Sequence, residues 1–252
     1  KSTDKGGRTK EAMEGMKLSI SLPSIWLAGF TGFCVYCIYT TLPFYVTFLT
    51  ESYAVPMLGV SIFSIAATSG GRIGAALPAG FVAKKFFRDA TGAIKSGLFF
   101  VLLLCATLAL VPHEFAAWWF SMIVLAIMII LVFFMRALYF APFGEMGIPP
   151  RFSGSTIAFA AFIIYLPSSF AYFFWGYLLD SYADTQGYRV LFIILSGIAA
   201  LGIFACHRLE LTIRAGVSAS IDEKVAAIDE KLQLQGAEKN FEDCFLAEES
   251  GR

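Results

Sequence analysis

Residues 59 to 85, GVSIFSIAATSGGRIGAALPAGFVAKK, put an arginine in the middle of a stretch otherwise long and apolar enough to cross a bilayer as a helix. Of the 25 residues from Gly59 to Ala83, 15 are Gly, Ala, Ser or Thr. In lipid, helices attract one another through packing and hydrogen bonds rather than through the exclusion of water, so a helix trimmed to small residues predicts a close neighbour. Arg72 lies 13 residues past Gly59, roughly 20 Å into the span at about 1.5 Å per residue. A charge at that depth needs a partner or a wet cavity.

The end of this stretch has an echo. Gly80-Phe-Val-Ala-Lys84 is followed 96 residues later by Gly176-Tyr-Leu-Leu-Asp180, the same order of glycine, aromatic, aliphatic and charged residues closing another apolar segment. Gly59 and Gly154 precede the two copies by similar distances, which points to an internal repeat.

Of the 252 residues, 58% are hydrophobic and 15% charged, against about a quarter charged in a soluble domain. The chain reads as an all-α, multi-pass membrane protein. Its net charge of zero gives no electrostatic case for nucleic acid. It opens at Lys1 with polar residues and no signal-peptide pattern, and is read as part of a longer protein. Cys34 and Cys37 form a C-x-x-C, but they sit in an apolar run with no second pair and no nearby histidine. Buried thiols filling helix surface are the expectation for them.

Taken in order, residues 1–18 read as a flexible cytoplasmic connector, 19–208 as a bundle of six transmembrane helices, and 209–252 as a cytoplasmic tail. The six apolar segments run from about Ile20 to Thr50, across the 59–85 stretch, from Gly97 to Val111, from Phe115 to Ala141, from Ser155 to Leu179 and from Val190 to Cys206. Pro23 and Pro43 mark adjustments in the long first segment, and Pro167 breaks the fifth. Lys84, Lys85, Arg88 and Lys95 fall in one set of loops with the leading basic residues, Arg151, Arg208 and Arg214, whereas the opposite loops hold only Arg189. The positive-inside rule then places both ends in the cytoplasm. Trp118, Trp119 and Trp175 are expected near the outer interface and Trp26 near the inner one. In the tail, Ser220 with Glu223 has capping-box spacing, and Ile221, Val225, Ile228 and Leu232 share a face, so a short amphipathic helix is expected there.

Ser61, Ser64, Thr68 and Arg72 recur at helical spacing in the second segment, Tyr165, Ser168, Ser169, Tyr172 and Trp175 in the fifth, and Tyr36, Tyr39 and Thr40 in the first. Stripes on three helices suggest one wet cavity, although hydroxyls that only bridge helices would give the same pattern. Arg136, with Tyr139 one turn on and Glu145 at the end of the fourth segment, is a second deep cation, suited to an inner-gate salt bridge, to snorkelling or to ligand contact. No span carries a mid-depth acid, so the solute is expected to be an anion, or the counter-charge to come from elsewhere. With only His113 and His207 present, no buried Ser/His pair or histidine metal site assembles at mid-depth; no enzyme, metal or cofactor is expected.

With six spans, both ends inside, a Gly-x-x-x-charge signature in GFVAKKFFR and GYLLD, and the run RALYFAPFGEMGIPPRFSGST, the chain resembles the C-terminal half of a major facilitator superfamily transporter over residues 20 to 207. The run from Arg136 to Thr156 is similar to permeases grouped with sugar-phosphate and organic-anion carriers. The resemblance implies two inverted three-helix repeats, a missing N-terminal half of the same protein as partner, and alternating access coupled to a proton or sodium gradient. It also implies a gating loop motif at Gly80, Lys84, Lys85 and Arg88, echoed at Gly176 and Asp180, but Lys84 stands where that family carries an acid. Arg72, Tyr36, Tyr39, Thr68, Tyr165, Ser168, Ser169 and Tyr172 are the expected substrate path, with Arg136 and Glu145 near the gate. The expected function is secondary transport of a small anionic organic solute. A six-helix scaffold or a homodimeric half-size carrier is the alternative, and a channel is disfavoured for want of a filter segment.

Overall fold

A backbone in lipid must satisfy its own hydrogen bonds, and helices do so segment by segment. In the computed structural model helices are accordingly the only regular elements among the described residues, 3–87, 89–111, 117–182 and 185–230, with side chains described from residue 12 onward. Arg88, Pro112, His113, Glu114, Leu232 and Cys244, and the side chains of the leading basic residues before Lys17, lie outside this description.

The chain begins with α1 (Thr3–Ser21), where a flexible connector was expected. Leu18 and Ser19 are buried, and the Ser19 hydroxyl meets that of Thr156 at 2.9 Å. The helix therefore persists through tertiary contact despite its polar composition. Leu22 breaks it, Pro23 opens α2 (Pro23–Tyr39), and the two axes meet at 83°. A turn over 40–43 leads to α3 (Phe44–Tyr53), so the long first apolar segment is split by both of its prolines.

The second segment is α4 (Met57–Gly70), a five-residue π-helical turn (Gly71–Ala75) and α5 (Ala79–Phe86), with a 57° bend before α5. It is followed by α6 (Ala90–Leu110), α7 (Trp118–Leu138) and the short α8 (Ala141–Glu145). The fifth segment is α9 (Pro150–Tyr165), a 3-10 turn over Leu166–Ser169 and α10 (Ala171–Ser181), broken at Pro167 as the sequence predicts. The long α11 (Gln186–Arg214) closes the bundle, and residues 217–230 form a tail helix. Four of these helical runs are long and apolar enough to cross a membrane, or up to six when each bent pair counts as one span.

The core is built on α11, which packs against α6 and α2. Gly202 permits the close approach: a Cβ there would stand 2.9 Å from Leu98 and 3.1 Å from the Cβ of Cys34. Cys34, Cys37, Cys105 and Cys206 are all free and buried in this core, as packing thiols should be. The close neighbour of the second segment is α7, reached through Gly71, where a Cβ would come within 2.7 Å of Phe133. This contact uses only part of the small-residue surface: Gly59, Gly70, Gly74 and Gly80 face open space.

At the end of the bundle that carries the tail, Lys95 pairs with Glu210, which also holds Arg214. At the other end, Arg189 donates to the Ala109 carbonyl at 2.9 Å and Tyr188 to Glu51 at 2.7 Å. Trp175 faces the bundle and not the lipid. It is 2% exposed, and its indole N–H donates to the Thr40 hydroxyl at 2.9 Å, because the break at Pro167 turns that side of α10 into the bundle.

Candidate functional site: a two-arginine cleft

Arg72 lies in the π-helical turn, one residue after the glycine that seats this segment on α7. Such turns insert an extra residue into the helical ladder and re-aim the side chains around it. The Arg72 guanidinium stands 5.7 Å from the centre of the Phe133 ring on α7. Phe133 is one turn before Arg136, so the same face of α7 presents both residues. Arg136 lies 3.8 Å from the centre of Tyr39 and 5.6 Å from that of Tyr36, both on α2.

An open cleft of about 440 Å3 is lined by Tyr39, Arg72, Ala76, Phe133, Arg136 and Ala137. Tyr36 packs edge-on against Tyr165 at 5.0 Å, and the hydroxyls of Tyr139 and Tyr165 are 2.7 Å apart. Tyr39 in turn stands edge-on to Phe133 at 6.0 Å. The two cations are thus framed by a continuous set of rings from α2, α7 and α9. Ring faces attract cations without neutralising them, at about 0.5–2 kcal/mol each. Among the described residues neither arginine pairs with a carboxylate.

The structure therefore gathers Arg72, Arg136 and Tyr39 on one cleft, with Tyr36 and Tyr165 beside it. Thr68 is half-buried one turn before Arg72, and its hydroxyl donates to the Ser64 carbonyl of its own helix. Ser168, Ser169 and Tyr172 are exposed at the break in the fifth segment, with Ser168 donating to the Tyr165 carbonyl at 2.6 Å. Glu145 does not meet Arg136. Its carboxylate takes the Ala90 amide and, at 2.6 Å, the Thr91 hydroxyl, and so caps the start of α6. Of the three roles open to Arg136, an inner-gate salt bridge with Glu145 is the one this structure does not form.

The loop-motif residues are likewise spread over the surface. Lys84 is exposed at the end of α5, Lys85 stands 5.5 Å from the Phe81 ring, and Asp180 is exposed near the end of α10. Gly80 and Gly176 have nothing within 4 Å of where a Cβ would stand. Phe133 was not singled out in the sequence. Its three-residue spacing from Arg136 was the available signal, hidden because a phenylalanine in an apolar run looks like ordinary core.

Fold and site together define an integral, multi-pass, all-α membrane protein. The chain is similar to the inner membrane protein YihN of Escherichia coli (strain K12), 29% identical over 184 residues that make up 71% of this chain and 42% of that protein. It thus spans less than half the length of the relative it matches. No family model matches the chain, and no solved structure matches it.

These findings overturn the resemblance to the major facilitator superfamily: no model of any family matches, and the relative's description says only that it is an inner membrane protein. The short Gly-x-x-x-charge signature misled because glycines and a terminal charge are ordinary features of membrane helices.

Proposed function

We propose that the chain forms one wall of the path of a secondary carrier for a small organic anion, working by alternating access with a proton or sodium gradient. The observation that carries this reading is the cleft shared by Arg72 and Arg136, two cations framed by rings and without a carboxylate partner among the described residues. A guanidinium already paired to an acid has its charge compensated, whereas Arg72 on the Phe133 ring, and Arg136 with only rings and the neutral hydroxyls of Tyr39 and Tyr139 beside it, keep theirs for a carboxylate or phosphate. Two such groups at membrane depth favour an anion over a neutral solute.

The cleft is open, so its other wall comes from another part of the full protein or from a second copy. The two helix breaks support a repeat of two three-helix units: Gly71–Ala75 and Leu166–Ser169 begin 95 residues apart, close to the spacing of the Gly-x-x-x-charge echo. Likeness to an inner membrane protein supports a place in such a membrane.

The test is uptake of labelled organic anions and neutral sugars into vesicles holding the full-length protein, beside Arg72→Gln and Arg136→Gln variants shown to be folded. Anion uptake abolished in both variants supports the reading. Undiminished uptake in both removes it, and no uptake of any anion by wild type favours the scaffold.

A further inference from the structure

The elbow between α1 and α2 forms one side of a second, open pocket of about 320 Å3, against the end of α11 and the first two turns of the tail helix. Leu22 and Val217 supply apolar lining; Ser24, Thr212, Ser220 and Lys224 supply polar groups. Ser24 is 2% exposed, and its hydroxyl has no hydrogen-bond partner. A buried hydroxyl left unpaired is unfavourable by about 1–3 kcal/mol, which points to a partner that completes it.

The depth of this pocket follows from its surroundings. The 83° bend lays α1 across the direction of α2, parallel to the membrane plane when α2 spans. Met13, Met16 and Ile20 form an exposed apolar stripe along α1, as on a helix lying in the interface. Trp26, exposed just past the elbow, donates its indole N–H to the Ile20 carbonyl at 3.0 Å, the placement of an interfacial anchor. The pocket is therefore at headgroup level.

From the unpartnered Ser24, the cation beside it and this depth, we propose that the elbow pocket binds the phosphodiester headgroup of an anionic phospholipid. The Lys224 ammonium donates to the Ser21 carbonyl at 3.0 Å and hydroxyl at 3.2 Å, and it makes no ion pair among the described residues. An ammonium has three donors. The partial positive charge at the start of the tail helix is offset by the partial negative charge at the end of α11, so the net charge at the pocket is that of Lys224. That charge suits the single negative charge of a phosphodiester better than a dianion. Ser24 and Ser220 are the hydroxyls left to donate to its oxygens, since Thr212 already donates to the Arg208 carbonyl at 2.9 Å, and Leu22 and Val217 line the side toward the acyl chains. This inference stands apart from the proposed transport.

The experiment is thermal unfolding of the detergent-solubilised protein with added phosphatidylglycerol, phosphatidylcholine or inorganic phosphate. Phosphatidylglycerol is expected to stabilise wild type at concentrations where phosphatidylcholine, whose choline cancels the charge, does not. Lys224→Gln should need about tenfold more phosphatidylglycerol, the loss of one charge-assisted hydrogen bond. Ser24→Ala, the second variant, should also weaken the response. Ser21→Ala, which frees Lys224 without removing its charge, should keep it. Equal responses to the two lipids, or wild-type responses in both Lys224→Gln and Ser24→Ala, overturn the site. Saturation by inorganic phosphate that abolishes the lipid effect overturns the lipid assignment in favour of a free anion.

Discussion

The guanidinium of Arg136 rests 3.8 Å from the centre of the Tyr39 ring, so the fourth apolar segment is tied to the first by a cation on an aromatic face. Tyr39→Phe keeps that face, whereas Tyr39→Leu removes it. Thermal unfolding in detergent should show the leucine variant destabilised by about 1–2 kcal/mol relative to the phenylalanine variant. Equal stability of the two would mean that Arg136 does not depend on the ring.

Glu145 holds the start of α6 from 55 residues away through the Ala90 amide and the Thr91 hydroxyl. Glu145→Gln keeps the shape but loses the charge that suits a helix N-terminus, and should destabilise by about 1 kcal/mol. Glu145→Ala should be worse. Combining Glu145→Ala with Thr91→Val should be less harmful than the sum of the two, because the second change removes a group the first has already orphaned. A double-mutant cycle in chemical unfolding measures the difference.

The Thr40 hydroxyl accepts from Trp175 at 2.9 Å while donating to the Cys37 carbonyl at 2.6 Å. Truncating either end is not equivalent. Thr40→Val strands a buried indole N–H and should destabilise by about 1–3 kcal/mol through that donor, whereas Trp175→Phe leaves only an acceptor with one bond fewer. Near-ultraviolet circular dichroism on heating follows the loss of tryptophan packing in Thr40→Val.

Arg151 donates to Asp229 at 2.6 Å, which holds the Asp229 carboxyl below the ordinary aspartate range and fastens the tail helix to the start of α9. A carboxyl with a lowered folded pKa contributes its stability above the unfolded value, about 3.9, and loses it as pH falls through the folded value. Spin labels on the tail helix and α9 should therefore separate below about pH 4 and remain close at neutral pH. Asp229→Asn should be loosened at every pH and lose this dependence. The contact is exposed, so added salt should weaken it in wild type.

Much of the architecture was legible because lipid leaves few options: long apolar runs announce helices, and Pro23, Pro43 and Pro167 each coincide with a break. Arg72 and Arg136 stood out for the same reason, as charges where charges are disfavoured. Less legible was what each would touch. A ring 97 residues away in sequence, as Tyr39 is from Arg136, leaves no local trace. Nor does a carboxylate destined for a helix cap differ in sequence from one destined for an arginine, and so the sequence leaves the partner of Glu145 open. The helix over α1 was missed because its sequence is polar; its stability comes from Leu18 and Ser19 against α9, a contact made only in the folded bundle.

The reach of Lys224 to Ser21 carries one more consequence. Two residues that touch lie on the same side of any bilayer the chain inhabits, so the polypeptide between them has to pass through that bilayer an even number of times. Of the four to six crossings that the helix lengths permit, five is therefore ruled out, whichever compartment the two residues face. A reporter fused after Leu22 and another after Gly216 would have to give the same answer, and any substitution that inverted a single span would have to pull this contact apart.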